Sequence, residues 1–94
     1  MNYKFLTHHS EDNVAVAVVD IKSGEKVDGA CLETNKPVQS LTARADIPLG
    51  HKIALTDLAS GGSIIKYGVS VGSASAEIKA GDYVHVHNVK SNRW

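Results

Sequence analysis

Hydrophobic and polar residues alternate in short stretches along this chain, and no stretch keeps a helical apolar period over three turns. Residues 14–19 form an uncharged run rich in valine and alanine, which is typical of a strand buried on both faces. Further strands are predicted at residues 38–43, 64–67, 69–71 and 83–89. The pattern therefore favours a small all-β domain of many short strands.

A short pattern recurs four times: an acidic residue, an aliphatic residue, two residues, glycine, two residues and a second aliphatic residue. The copies begin at Asp20, Asp46, Asp57 and Glu77, and their unequal spacing excludes a regular solenoid. Each copy predicts a tight turn that the first aliphatic residue anchors and that glycine closes, with a strand starting at the second aliphatic residue. Pro48 suits an early turn position because its ring fixes φ.

A hairpin and one helical turn are predicted between these elements. Residues 35–37 have the composition of a hairpin tip between residues 30–32 and residues 38–41. Residues 56–59 are the one helical candidate, about one turn long with Thr56 as its N-cap.

Length and charge limit the function classes. The 94 residues fit one domain, residues 1–94, whose thin core leaves little room for an enclosed cavity. A deep pocket would therefore form against another chain. Ten basic and ten acidic residues are interspersed and give no net charge, which disfavours nucleic-acid and anionic-membrane binding. Low self-repulsion is compatible with permanent assembly, including a homo-oligomer of the isolated chain.

Cysteine and apolar content predict a cytoplasmic protein. Cys31 is the one cysteine, so no intrachain disulfide forms, and a reducing compartment is favoured. We interpret Cys31 as a partly buried apolar residue. The N-terminal residues lack the apolar core of a signal peptide, and no apolar run is long enough to cross a membrane.

His85 and His87 are the first candidates for chemistry. If residues 83–89 form one strand, both side chains face the same way, about 6–7 Å apart. Such a pair binds a divalent metal or an anionic substrate, although ordinary surface histidines give the same pattern. Asn88 adds a neutral donor and acceptor at the strand end.

Two lysines are the next candidates. Lys52 follows Gly50-His51 where a turn enters a strand, and it suits a substrate carboxylate there. Lys66, beside Tyr67, is a candidate base or carboxylate clamp if burial lowers its pKa. An exposed turn lysine and a snorkelling strand lysine are the alternatives. The sequence contains no paired-cysteine metal site, phosphate loop, nucleophile elbow or dinucleotide fingerprint.

Several segments combine into a specific set between about residues 9 and 90: His9-x-x-Asp12-Asn13-Val14, Ile47-Pro48-x-Gly50-His51-Lys52-Ile53-Ala54-Leu55, Ile65-Lys66-Tyr67-Gly68, Gly72 and Val84-His85-Val86-His87-Asn88. This set resembles the N-terminal SAF domain of the altronate/galactarate dehydratase family, a β-clip fold. In that family the domain is usually fused to a larger catalytic region. The end at Trp94 resembles instead the free-standing small subunit of split members, as in (2R)-sulfolactate sulfo-lyase. Residues 28–43 form a longer stretch than in the fused altronate dehydratases, and the ending is closer to that of the split type. Because of both differences, the resemblance does not decide whether altronate is the substrate.

The resemblance implies a lyase acting on a hydroxy or sugar acid with a divalent metal, iron(II) or alternatively manganese. A base removes the proton α to the carboxylate, the metal stabilises the resulting charge, and water or sulfite leaves. Carried onto this chain, the family motifs assign three sets of residues: metal ligands His9, His51, His85 and His87; catalytic residues Lys66 and His87; and substrate contacts Lys52, Tyr67 and Asn88.

The resemblance also implies a large catalytic subunit as partner, with these side chains on one wall of an intersubunit site and no activity in the small subunit alone. Two alternatives stay open. The domain binds a sugar acid without chemistry, or it is a structural subunit that orders a partner's site, with Trp94 as an interface anchor.

Overall fold

The computed structural model describes residues 3–91, which contain nine short β-strands in two sheets, joined by turns and loops, and no helix. The strands are β1 Phe5–Thr7, β2 Val14–Ala17, β3 Lys26–Cys31, β4 Lys36–Thr42, β5 Lys52–Ala54, β6 Ser63–Lys66, β7 Val69–Ala74, β8 Tyr83–Val84 and β9 Val89–Ser91. The all-β prediction is therefore confirmed. The anchor role predicted for Trp94 lies outside the described residues.

The two sheets enclose two hydrophobic cores, and the second core contains residues of both sheets. The six-stranded sheet has the order β4-β3-β1-β2-β5-β8, with β1 and β3 parallel, and the three-stranded sheet has the order β6-β7-β9. Phe5 and Ile53 are fully buried in the first core, and Ile78 is fully buried in the second. Ala15 packs in the first core while its neighbour Val14 packs in the second, so β2 is covered on both faces, as its uncharged sequence predicted.

The four copies of the turn pattern associate in two reciprocal pairs. Ile21 and Ile47 form an isolated antiparallel bridge, and Leu58 and Ile78 form the second. The central glycines all have positive φ, between 86° and 91°, as a tight turn requires: Gly24, Gly50, Gly61 and Gly81. The predicted turn is therefore confirmed in every copy.

The leading acidic residues bind the turn of the partner copy. Asp20 accepts a hydrogen bond from the Leu49 N–H at 2.9 Å, and Asp46 accepts one from the Ser23 N–H at 2.8 Å. Asp57 accepts one from the N–H of Ala80 at 2.8 Å. The acid at the start of these three copies is thus explained by backbone donors that the opposing turn leaves unpaired.

The predicted strand over residues 83–89 is wrong. Strand β8 ends at Val84, β9 starts at Val89, and a turn occupies residues 85–88. The reason is Asn88, whose buried side chain accepts from the His85 N–H at 2.9 Å and donates to the Tyr83 carbonyl at 2.8 Å. An asparagine that satisfies nearby backbone groups in this way favours a turn over a strand.

The other local predictions have mixed outcomes. The helical turn at residues 56–59 is wrong, because Leu58 bridges Ile78 instead. The hairpin is confirmed, but its tip is residues 32–35, where Asn35 has φ 55°, and Lys36 already belongs to β4. Cys31 is free and only 3% exposed, so it is buried as predicted. No helix within residues 3–91 is long and apolar enough to span a membrane.

Candidate functional site

The candidate side chains form two groups, one around the ring of Tyr83 and one around the turn at Tyr67. We name the first group, His51, Tyr83, His85 and His87, the histidine cluster. The second contains the turn of the β6–β7 hairpin and the loop that precedes β2, which packs against it. The ammonium groups of Lys52 and Lys66 are close enough to repel each other, so the ends of these two side chains, from β5 and from the end of β6, lie near one another.

Tyr83 is the centre of the histidine cluster. Its ring centroid lies 5.5 Å from that of His51, 5.4 Å from that of His85 and 5.6 Å from that of His87. Its hydroxyl lies 2.5 Å from Nδ1 of His51, and the His51 and His85 rings are 5.1 Å apart. Sequence reasoning missed Tyr83, although it stands at the head of the Tyr83-Val84-His85 alternation and could have been found there.

His85 and His87 line different grooves, so the prediction that they share a strand face is wrong. His85 and Lys52 line a groove of about 260 Å³, which is otherwise mostly apolar: Ile64, Val71, Val84, Val86, Val89 and Ser91. His87 lines a second groove of about 350 Å³ together with Tyr83 and Asn88. The turn at residues 85–88 removes the two-residue period on which the prediction rested.

Tyr67 occupies a backbone conformation that few residues adopt. Tyr67 and Gly68 have φ values of 56° and 74°, and they form the two-residue turn between the paired residues Lys66 and Val69. Positive φ at both positions defines a type I′ turn, which favours asparagine or glycine. The Tyr67 ring is 52% exposed and stacks on His8 with centroids 3.9 Å apart, and Lys66 Nζ lies 5.4 Å from its centroid. His8 was not among the predicted residues.

Asp12 holds this turn against the N-terminal loop. Its carboxylate is 7% exposed and accepts hydrogen bonds from the N–H groups of His8 at 3.2 Å, His9 at 3.1 Å and Gly68 at 2.9 Å. Burial raises the pKa of Asp12, but hydrogen bonds from the backbone of Gly68, His9, His8 and Tyr67 outweigh it and bring the pKa below 3.8.

Asn13 joins the two sheets beside Asp12. Its Oδ1 accepts from the Ile65 N–H at 2.7 Å, and its Nδ2 donates to the Ser63 carbonyl at 2.8 Å. The Asp12-Asn13 pair therefore fixes where β6 and its turn lie relative to β2. Sequence reasoning identified the pair as part of a motif but not this bridging role.

Two lysines supply the positive charge of the site. Burial lowers the pKa of Lys66 from its ordinary 10.5, and repulsion from Lys52 lowers it further, while Asp12 acts in the opposite direction. Within residues 3–91 the ion pairs are Lys4–Glu25, His9–Glu33, Arg44–Asp82 and Lys79–Glu77, so neither site lysine has a carboxylate partner there. Two neighbouring cations that form no ion pair within residues 3–91 suit an anionic ligand.

The described residues do not fit a complete metal site. Among residues 3–91, no group of three or more histidine, cysteine, aspartate or glutamate side chains is arranged to hold a metal ion. His9 Nδ1 is paired with Glu33 at 3.1 Å, and His51 Nδ1 is engaged by Tyr83. His51 and His85 are two adjacent imidazoles, and any further ligands would have to come from elsewhere.

Asn88 has a structural role in this geometry. Its amide is 8% exposed and engages the backbone of His85 and Tyr83. Its predicted contact with substrate stays a prediction, as do the substrate contacts of Lys52 and Tyr67.

Comparison with known proteins shows similarity to a SAF-domain family and to sulfo-lyase and dehydratase proteins. The family profile of the altronate/galactarate dehydratase SAF domain matches residues 3–92. The chain is 38% identical over 95 residues to the (2R)-sulfolactate sulfo-lyase subunit alpha of Chromohalobacter salexigens, covering 100% of both chains. It is 43% identical over 89 residues to the altronate dehydratase of Escherichia coli, covering 95% of this chain but 17% of that protein. It is 35% identical over 83 residues to the galactarate dehydratase (L-threo-forming) of Escherichia coli, covering 14% of that protein.

Proposed function

Since the chain belongs to the altronate/galactarate dehydratase SAF-domain family, we propose that it is the small subunit of a two-chain lyase acting on a hydroxy or sugar acid. The observation that carries this proposal is the 38% identity that extends over 100% of a sulfo-lyase subunit alpha. The leaving group is sulfite if the substrate is a sulfolactate, and water if it is a sugar acid such as altronate or galactarate.

The partner in this proposal is a large catalytic subunit. The name of the sulfo-lyase relative, a subunit alpha, supports a second chain. The described residues offer two shallow grooves rather than an enclosed pocket, and Val86 beside the first groove is 81% exposed. A site completed by another chain fits this open geometry, and it makes the small subunit inactive alone. Free, buried Cys31 supports a cytoplasmic location.

The lysines carry the proposed substrate chemistry. Lys52 holds the substrate carboxylate, because it lines the groove and has no carboxylate partner within residues 3–91. Lys66 is the candidate base for the proton α to that carboxylate, since a lowered pKa increases the fraction of neutral amine. Tyr67 is a substrate contact in this proposal, because its half-exposed ring lies beside Lys66. His87, the other candidate acid–base residue, lines the second groove, and its role is tested separately from that of Lys66.

A divalent metal, iron(II) or manganese, belongs to the proposal only as a group held mainly by the partner. The described residues supply no set of three ligands, so we assign no reaction step to a metal on this chain. His9, His51, His85 and His87 stay candidate ligands, of which His51 and His85 are in contact at 5.1 Å.

The test is reconstitution with a large-subunit candidate from the same genome. The two chains are coexpressed, purified anaerobically with iron(II), and assayed with sulfolactate, altronate and galactarate, with each chain alone as control. Activity that needs both chains supports the proposal and identifies the leaving group. If no complex forms and the lone chain binds a sugar acid, the non-catalytic binding module is the correct interpretation.

A further inference from the structure

We propose that Tyr83 is a positioning residue that fixes His51 as an Nε2–H hydrogen-bond donor to a substrate oxyanion. The observation is the contact between the Tyr83 hydroxyl and Nδ1 of His51 at 2.5 Å. A neutral imidazole carries one proton, so the partner of one ring nitrogen determines the state of the other.

The direction of this hydrogen bond follows from the two groups. A phenol is a good O–H donor, and the unprotonated nitrogen of an imidazole is a better acceptor than a phenol oxygen. The Tyr83 hydroxyl therefore donates to Nδ1, and the single proton of neutral His51 resides on Nε2. If His51 is protonated, both nitrogens carry protons, so Nε2 is a donor in either state.

Nε2 of His51 is accessible to a ligand. The hydrogen bond to Tyr83 occupies Nδ1, and no buried side-chain nitrogen or oxygen in residues 3–91 lacks a partner. Nε2 has no partner of its own there, so it faces solvent. His51 contacts His85 at 5.1 Å, and His85 lines the same groove as Lys52.

The ligand class follows from this placement and rests on the proposed function. Removal of a proton α to a carboxylate leaves an enediolate-like oxyanion, and a fixed N–H donor stabilises such charge. His51 thus acts on the substrate as a donor, while a nitrogen that keeps its proton has no lone pair for a metal. This role therefore removes His51 from the candidate metal ligands named under the proposed function and leaves His9, His85 and His87 in that set.

The decisive measurement is the tautomer of His51 in the ¹⁵N-labelled full chain, read from long-range ¹H–¹⁵N correlations well above the usual imidazole pKa of about 6.5. His51→Gln identifies the resonances. We expect a protonated Nε2 and a hydrogen-bonded Nδ1, whose signal shifts toward the free value in Tyr83→Phe but not in the matched control Tyr3→Phe. A protonated Nδ1 in the wild type, or an unchanged Nδ1 signal in Tyr83→Phe, overturns the proposal. The wild-type tautomer needs no variant, so the test survives if Tyr83→Phe does not fold.

Activity distinguishes the donor from a ligand once the two-chain enzyme is reconstituted. The side-chain N–H of glutamine replaces Nε2–H, so His51→Gln should retain most of the activity that His51→Ala loses, roughly 10²-fold in kcat. Equal losses in the two variants contradict the donor role. The tautomer of His51 is measured on the chain alone and needs no lyase activity. It therefore tests the role of Tyr83 even if the proposed lyase function is wrong.

Discussion

Replacing Tyr67 by asparagine should leave the domain about as stable as the wild type while weakening its substrate site. Tyr67 has φ 56° in a two-residue turn, followed by Gly68 at φ 74°. The variant contains Asn-Gly at these positions, which is the dipeptide that type I′ turns prefer. The backbone strain at this position is therefore relieved at the same time as the exposed ring is lost.

The structure sets the magnitude of each effect. A left-handed conformation costs a residue other than glycine or asparagine roughly 1–2 kcal/mol. Against this, the variant loses the stack on His8, which is worth about 0.5–1.5 kcal/mol, and the approach of Lys66, about 0.5 kcal/mol at an exposed site. The ring is 52% exposed, so little buried area is lost. The two effects nearly cancel, and we expect a change in Tm of no more than about 5 °C, since about 1 kcal/mol shifts a domain of this size by 4–8 °C.

The assay pairs thermal unfolding of the chain with steady-state kinetics of the reconstituted lyase. Tyr67→Phe is the matched control, because it keeps the ring and the strained backbone and removes only the hydroxyl. We expect a Tm within about 5 °C of the wild type and a raised KM for Tyr67→Asn. A fall in Tm of more than about 15 °C would mean that the ring is a packing anchor, as core aromatics worth 3–5 kcal/mol are. Unchanged kinetics would remove Tyr67 from the substrate site.

Three further predictions test charge and backbone. Lys52→Gln removes the positive charge that helps lower the pKa of Lys66, so the pKa of Lys66 should rise. If Lys66 is the base, the rising limb of the pH–kcat profile of the reconstituted lyase should then move to higher pH. A rising limb at the wild-type pH contradicts this role of Lys66. Gly24 has φ 86° and no atom within 4 Å of an added Cβ, so Gly24→Ala should lower the unfolding free energy by roughly 1–2 kcal/mol through backbone strain alone. Gly81 has φ 91° and a carbonyl oxygen 2.1 Å from an added Cβ, so Gly81→Ala should lower it far more, through a steric clash as well. Equal denaturant midpoints for the two variants would refute the clash. The pKa of Asp12 is lowered in the fold, so its ionised carboxylate contributes stability that is fully present above the unfolded pKa of 3.8 and is lost as pH falls through the folded pKa. Asp12→Asn should therefore be less stable than the wild type at neutral pH and should lose less stability on acidification. Urea unfolding at each pH measures both effects, and equal acid losses in the two proteins would contradict the role of Asp12.

The sequence predicted those features that depend on local backbone chemistry. The glycine turns follow from the need for positive φ, and the burial of β2 follows from its uncharged composition. The prediction of a strand over residues 83–89 was wrong because it rested on alternating side-chain polarity. That alternation does not show that the Asn88 side chain bonds the backbone of His85 and Tyr83 and so forms a turn. The Asn88 side chain that makes these bonds is only 8% exposed, and burial is a tertiary property that spacing along the chain does not show.

The site lies at the seam between the two sheets, which explains why its members were harder to predict than the fold. The first groove combines Lys52 of β5 and Val84 of β8 from one sheet with Ile64, Val71 and Val89 from the other. Its shape therefore depends on how the sheets dock, which the Asp12-Asn13 pair controls through hydrogen bonds to Gly68, Ile65 and Ser63.

Sequence spacing contains no information about such a seam, because residues 12 and 68 are far apart along the chain. Asp12, which the sequence offered only as part of a motif, thus fixes the position of the strained Tyr67 turn and of Lys66 beside it. A residue in a disfavoured conformation persists only where its surroundings hold it, and such positions cluster at functional sites. The buried carboxylate beneath an exposed, strained tyrosine is therefore more informative about the location of the site than the paired histidines that dominate the sequence.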